Sequence, residues 1–452
     1  MSELSTSLRE APPNTQSRRE AILDEVQPLR ESPWSSLLTL AVLVWLLYLA
    51  TNFRPPTQPI TLSDSNSGSA IRQLIFAGTG TLAVALLFFS RSLGPVFILH
   101  LPMLAILALI LGSVLWSEQP SLTVKRGIIY AFGIISLIVM VHSSQQPARR
   151  MMKNLVYFCT AVAALSLFFS IILPPSSTVN PARPGLAGIS NHPNTLAPFL
   201  SIGFLLSLGF PSQSTFERWF VLGSRGILFL ALILTFSMTT LTATLIGSCV
   251  YVFFSVSHYR RGFLQVCIVA AVLLVSLIGI DTLKSAFFDA TGRDESLSGR
   301  DELWEGVWIE AKQDILLGKG FGAFWTEGKG RKIVQTWNPR QSHNAFLDVL
   351  VDLGILGFIA VALVFPIRIF LSWHFVQGKP GTAQRKCTAA MLAVLISYMT
   401  VFAMSQSFFL KFDSFPFFAI CWITLILTNP DRNNLNREFT PNTSEHAHCR
   451  IS

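Results

Sequence analysis

Charge is what this chain has least of. Only 13% of its 452 residues are Asp, Glu, Lys or Arg, about half the ~25% typical of soluble domains. With 51% hydrophobic residues and a mean hydropathy of +0.51, that scarcity excludes an ordinary water-soluble domain. Cysteine is scarce as well. Cys159, Cys249, Cys267 and Cys421 fall within apolar runs, Cys387 borders one, and Cys449 lies near the C-terminus. No spacing among them suggests a metal site and no pair falls in an exported loop, so they read as small apolar packing residues. There is no internal repeat, no phosphate-binding P-loop, no Gly-x-Ser-x-Gly elbow and no heptad pattern. The polar N-terminal stretch has no short apolar core with a cleavage site, so it does not read as a secretory signal.

What is present is a series of apolar runs. A transmembrane helix needs roughly 20 apolar residues. About twelve candidates lie near 35–53, 71–90, 95–115, 127–142, 153–173, 196–210, 219–237, 240–257, 262–280, 345–370, 388–406 and 415–429. The stretch 219–257 reads either as two spans with a tight turn or as one long broken helix. The expectation is an all-α polytopic membrane protein with about twelve transmembrane helices and one large extracytoplasmic loop containing an amphipathic helix. Residues 1–34 read as a disordered cytoplasmic tail. Residues 35–280 carry helices one to nine, 281–344 form the large loop, 345–429 carry helices ten to twelve, and 430–452 form a second cytoplasmic tail.

The net charge of +9 does not argue for nucleic acid. The basic residues sit largely in short loops, as membrane orientation requires. Arg149, Arg150 and Lys153 share one loop, Arg218 falls in the next on that side, Arg260 and Arg261 in another, and Lys379, Arg385 and Lys386 in another. Counted over twelve spans, all these loops lie with both termini on one side, which reads as the cytoplasm. The opposite side then receives four informative polar segments. They are Trp116 to Arg126, the loop 174–195, the island 281–344 and Ser407 to Ser414.

Candidate site residues lie on those segments. Arg183 sits in a Pro- and Gly-rich loop and reads either as a solvated loop residue or as a planar fork suited to phosphate. In Asn191-His192-Pro193-Asn194, Pro and Asn look like helix-start chemistry, and His192 reads first as a residue packed at a helix entrance. Arg300 opens a segment with Leu303, Val307, Ala311 and Ile315 at i, i+4 spacing and Trp304 and Trp308 on an adjacent stripe. That pattern predicts an amphipathic helix at the membrane interface, with its tryptophans at headgroup level. Gly318-Lys319-Gly320-Phe321-Gly322 lacks a dinucleotide-site context and reads as a sharp turn back toward the membrane.

His343 lies at the predicted start of the next span, where the positive helix end favours an anion and disfavours imidazolium. A neutral histidine beside phosphate can serve as a general base; the alternative is a helix cap or a headgroup anchor. Asn344, Asp348 and Asp352 continue along one face below it. Carboxylates within a span are costly and usually mark function or a buried partner. Asp348 and Asp352 read as supporting residues, Asp352 paired with a basic group or capping another helix.

Four blocks together resemble the bacterial O-antigen ligase and polysaccharide polymerase superfamily, including its exopolysaccharide polymerase-like members. They are Trp116-Ser-Glu-Gln-Pro120 with Thr123 and Arg126, Arg183-Pro-Gly-Leu through His192-Pro-Asn194, Ser298-Gly-Arg300 with Trp304 and Gly318-Lys-Gly320, and Ser342-His343-Asn344 with Leu347, Gly354 and Gly357. The resemblance covers roughly residues 100–365. It implies a metal-independent, inverting glycosyl transfer without a cofactor, at a bacterial inner membrane, with the site facing the periplasm or the exterior. The implied partners are a polyprenyl-diphosphate-linked glycan donor, a glycan or glycolipid acceptor and the bilayer.

Carried onto matching positions, Arg183 and Arg300 clamp the diphosphate and His343 serves the acceptor side. Arg126, His192, Asn194, Asn344 and Arg340 join the substrate-binding set. The sequence departs from the pattern at Ser237-Met-Thr-Thr-Leu-Thr242, where many members carry a basic residue; that role is either missing here or taken by Arg126, Arg340 or Lys411. A transporter or flippase for lipid-linked glycans is the rival reading, although the spans contain few of the ionisable residues that mark transport pathways.

Overall fold

The computed structural model describes residues 34–51, 70–89, 100–143, 148–180, 183–190, 192–209, 214–255, 300–326, 328–334, 338–377, 383–411 and 414–428. In chain order the helices are α1 (Trp34–Thr51), α2 (Ala70–Phe89), α3 (Leu101–Gly112), α4 (Pro120–Ser143), α5 (Ala148–Ile172), the single turn α6 (Pro175–Thr178), α7 (Pro193–Leu208), α8 (Thr215–Leu234), α9 (Met238–Ser255), α10 (Arg300–Gln313), the short α11 (Lys329–Ile333), α12 (Ala345–Gln377), α13 (Ala383–Ala403) and α14 (Phe415–Thr428). A two-stranded antiparallel ribbon, β1 (Val179–Asn180) and β2 (Arg183–Leu186), lies between α6 and α7. Eleven of the twelve expected apolar segments fall on these helices. The twelfth, 262–280, lies outside the described residues, as do residues 1–33, the start of the polar island through Gly299 and the tail 430–452.

By length and composition, three described helices are apolar enough to cross a membrane: Pro120–Ser143, Met151–Ile172 and Ala345–Leu363. Seven shorter apolar helices accompany them. The structure is therefore that of an all-α membrane protein. Its core gathers around α4 and α14. Phe418 of α14 meets Trp45 of α1 edge-on, and Tyr130 of α4 packs against Phe417. Between helices in lipid the hydrophobic drive is small, so it is this close aromatic packing that holds α1, α4 and α14 together.

The 219–257 stretch is two helices. Asn194 and Ser201 of α7 bond Ser237 and Thr244 in step, so α7 and α9 run parallel. Arg225 of α8 instead donates to the Ser207 carbonyl at the far end of α7, 2.7 Å away. The chain therefore reverses between α8 and α9 through Thr235–Ser237, where Phe236 takes φ 50°.

The most consequential irregularity lies in α12. Gly354 adopts φ 62° and ψ −162°, which breaks the helix after two and a half turns. The segment from Ile315 to Gly320 docks into the break. Lys319 and Gly320 donate backbone N–H groups to the carbonyls of Val351 and Asp352, both at 2.9 Å, and Ile355 donates to Ile315 at 2.8 Å. A side chain on Gly354 would run into the Leu316 carbonyl, and one on Gly318 into the Leu353 amide. The paired glycines permit this backbone-to-backbone approach, and the docked segment supplies partners to groups that a broken helix would otherwise leave unmet.

Candidate active site

The 300–344 segment stands over the start of α12. In α10, Leu303, Val307 and Ala311 are buried against Leu350 and Val351 of α12 and against Phe324 and Val334. The expected helix is present, but Trp304 departs from the expectation of headgroup anchors. Its indole turns inward and donates from Nε1 to the Ser342 carbonyl at 2.9 Å, because that carbonyl has no helical partner ahead of α12. Trp308 stays 41% exposed with the Lys312 ammonium over its ring.

Ser342, His343 and Asn344 form a tight helix entry. Asn344 is the N-cap of α12. Its Oδ1 accepts from the Phe346 and Leu347 amides at 3.0 and 3.3 Å, satisfying donors that helix starts leave open. Ser342 Oγ bonds the Asn344 carbonyl and amide at 2.6 and 3.0 Å. Asp348 Oδ1 accepts from the Ser342 amide and from Trp325 Nε1, both at 3.0 Å. Held by these bonds, His343 takes φ 55°. A non-glycine residue in the left-handed region carries backbone strain, which tends to collect at functional sites.

Around this turn the chain brings together residues far apart in sequence. Gln341 Nε2 lies 3.3 Å from His343 Nδ1. Lys411 Nζ, from the α13–α14 loop, donates to Gln341 Oε1 at 2.7 Å. Arg300 Nη1 reaches the Ser405 carbonyl of the same loop at 3.4 Å, and burial pulls its pKa below the ordinary arginine value. An arginine keeps its charge through such a shift, so Arg300 is a partly desolvated cation near a strained histidine turn. Arg340 is exposed one residue ahead of Gln341.

A second cluster lies alongside. Trp116, Ser117 and Glu118 dock on the glycine-rich turn, in which Gly318, Gly320 and Gly322 all take positive φ. Trp116 Nε1 donates to the Leu317 carbonyl at 2.9 Å and the Glu118 amide to the Lys319 carbonyl at 3.0 Å. Lys319, with only 4% of its side chain exposed, faces Glu118 at 2.9 Å, Asp314 at 3.3 Å and Glu310 at 3.5 Å. Burial opposes its charge, but hydrogen bonds to Glu118 and Asp314 and the neighbouring carboxylates outweigh that and hold its pKa above the ordinary lysine value. Arg126 donates to the Gly322 carbonyl while Asp352 Oδ2 accepts from the Gly322 amide at 3.0 Å. In this structure Arg126 thus positions a loop.

The third group belongs to the α5–α7 connection. β2 carries the Arg183 backbone and packs toward the α8–α9 turn, with Gly185 against the Thr235 carbonyl; the Arg183 side chain lies outside the described atoms. His192 is the N-cap of α7, its Nδ1 accepting from the Asn194 amide at 3.0 Å, so it does sit at a helix entrance. Asn194 Oδ1 accepts from Ser237 Oγ at 3.0 Å. Lys411, Gln341 and His343 thus form one chain, and Arg300 meets the same α13–α14 loop at Ser405; Asn194 bonds the α8–α9 turn instead. Among the described residues no group of three or more His, Cys, Asp or Glu side chains could hold a metal ion.

Sequence reasoning missed Gln341 and Glu118 as site residues. Gln341 stands two positions before His343, and only the reversed backbone at His343 turns the two side chains toward each other. Nothing in the local pattern marks it.

Residues 226–362 match the O-antigen ligase family (Wzy_C), a segment that contains Arg300, His343, Asp348 and Asp352. The chain is also 26% identical over 286 residues to the exopolysaccharide production protein ExoQ of Rhizobium meliloti (strain 1021), covering 57% of this chain and 62% of that protein. Both matches support a likeness to the O-antigen ligase and polymerase-like superfamily. The chain spans about 62% of the length of that curated relative.

Proposed function

We propose that this protein is a membrane glycosyltransferase that moves a polyprenyl-diphosphate-linked glycan onto a sugar hydroxyl. The observation that carries the reading is the corner formed by Arg300, Lys411 and the Gln341–His343 pair over the N-terminus of α12. Every charged side chain in that set is a cation, and a helix start adds its own positive end. Such a corner suits a leaving diphosphate, whose charge grows as the anomeric C–O bond breaks. The reaction proposed is inverting and uses no metal, with the protein's own cations stabilising the leaving group. Arg300 is the principal diphosphate ligand, Arg183 is its second fork, and His343 completes the site. The lipid tail enters sideways between helices. The site faces away from the cytoplasm, as the distribution of basic loops suggests.

The likeness to an exopolysaccharide production protein and the early Trp116–Pro120 block favour polymerase over ligase, with a second lipid-linked glycan as the acceptor. The test uses purified protein in lipid nanodiscs with a polyprenyl-diphosphate oligosaccharide and no other enzyme. A ladder of lengthening chains, absent for Arg300→Ala, is the expected product. Product only after a lipid A core acceptor is added would make the protein a ligase. Movement of unchanged donor across a vesicle membrane, with no new glycosidic bond, would sink the transferase reading in favour of a transporter.

A further inference from the structure

The hydrogen-bond chain behind His343 decides what its imidazole can do. A lysine ammonium has donors and no acceptor. Lys411 Nζ, 2.7 Å from Gln341, therefore requires the amide oxygen on its side. That places the Gln341 NH2 against His343 Nδ1, 3.3 Å away. An amide nitrogen only donates, so Nδ1 must be the accepting, unprotonated nitrogen, and the neutral ring carries its proton on Nε2. Protonating Nδ1 as well would set two donors against each other. The positive end of α12 also opposes imidazolium. Among the described residues, the ionisable groups on the elements around the ring are Lys411, Arg300 with exposed Asp301 and Glu302 beside it, exposed Arg340, Asp348, whose Oδ1 accepts from Ser342 and Trp325, and Asp352, which bonds Gly322.

We infer that Gln341 and Lys411 are positioning residues that lock His343 as the Nε2–H tautomer, so that the ring takes part in transfer as a hydrogen-bond donor to an anionic oxygen and not as the general base that is one of the two readings of the sequence. The inference rests on the transfer reaction proposed above for the identity of that oxygen, a diphosphate oxygen of the donor. In the resulting step the acceptor hydroxyl forms the new bond to the anomeric carbon. The bond from that carbon to the diphosphate breaks, and its electron pair stays on the diphosphate. The hydroxyl proton passes to a diphosphate oxygen. His343 keeps its proton throughout and steadies the developing negative charge, as a preorganised donor does.

The first test does not depend on activity. Protein labelled with ¹⁵N-histidine in nanodiscs is examined by solid-state NMR at neutral pH, and the His343 signals are identified by their loss in His343→Asn. The expected result is a proton on Nε2 and an unprotonated Nδ1. A proton on Nδ1 in the wild type overturns the inference. Lys411→Met frees the Gln341 amide to flip, and a mixture of tautomers is expected.

The second test is a pH profile of transfer. Gln341→Glu sets an acceptor against Nδ1, so Nε2 carries a proton only when the ring is imidazolium. Transfer by that variant is then expected to fall roughly tenfold per pH unit above the histidine pKa, while the wild type does not fall there. A variant whose transfer equals or exceeds the wild type as pH rises would restore the base role and sink the donor role. A wild type with the Nε2 proton and no transfer from any lipid-linked donor would overturn the proposed reaction and the donor role with it, while the tautomer lock stands on its spectrum.

Discussion

Arg126 and Asp352 hold one residue from opposite sides: the guanidinium bonds the Gly322 carbonyl and the carboxylate bonds the Gly322 amide. One residue comes from the first turns of α4 and the other from the segment of α12 just before its break. The glycine-rich turn is thus fastened to two membrane helices through its backbone, and a side chain at Gly322 would run into Arg126. Asp352→Ala leaves the Gly322 amide without its acceptor and is expected to cost about 1–3 kcal/mol. Asp352→Asn retains an acceptor oxygen and is expected to cost less. Thermal unfolding in detergent, compared across the two variants, checks the order; equal losses would mean that charge and not the hydrogen bond matters.

Lys319 provides the second fastening. Its three carboxylate neighbours are partly exposed and can rehydrate, so Lys319→Met is expected to destabilise by only about 1–2 kcal/mol. The folded-state pKa of Lys319 is raised, so its contribution is fully present below the unfolded lysine pKa and is lost as pH rises through the higher folded value. Between pH 6 and 9 the wild type and Lys319→Met should therefore differ by a constant amount, and the gap should narrow only in strongly alkaline buffer. A gap that closes near neutrality would contradict the raised pKa.

The break in α12 gives a prediction about backbone. Gly354→Ala meets both a positive φ and the Leu316 carbonyl, so the cost is expected to exceed the ~1 kcal/mol of an ordinary glycine change. The segment 315–334 would undock, and limited proteolysis is expected to cut it faster. Unchanged protease resistance would mean that the docked segment is held elsewhere.

Trp304→Phe keeps the ring and removes only the hydrogen bond to Ser342. A neutral hydrogen bond contributes about 1 kcal/mol. The His343 turn would loosen, so the turnover number is expected to fall more than the melting temperature. A parallel loss of both would mean that Trp304 serves packing alone.

At the corner itself, Arg300→Ala is expected to lower transfer roughly 10²–10³-fold, the scale for removing a donor that stabilises transition-state charge. Arg300→Lys retains charge without the planar fork and is expected to recover only part of it. A full-activity Arg300→Ala protein would remove the residue from the site.

Much of the architecture was legible because its causes are local. A run of about 20 apolar residues with satisfied backbone becomes a helix wherever it sits in lipid, and the runs at 127–142, 153–173 and 345–370 did so. The helix starts at Pro193 and Ala345 were also readable, since capping chemistry acts over three residues. Some readings went the other way. Trp304 was expected at headgroups because its stripe is amphipathic, yet an open carbonyl at Ser342 drew it inward.

By itself, then, the sequence determined an all-α membrane protein with a polar island, and it singled out the histidine and arginine on that island. What those groups touch was set by the tertiary structure alone. The docking of Lys319 on Glu118, the insertion of Ile315–Gly320 into the break at Gly354 and the Lys411–Gln341–His343 chain all join residues from separate elements. Such pairings depend on distances between helices, which packing sets. No periodicity or motif records which nitrogen of His343 faces a donor, because that follows from a left-handed turn closed against a loop some seventy residues away.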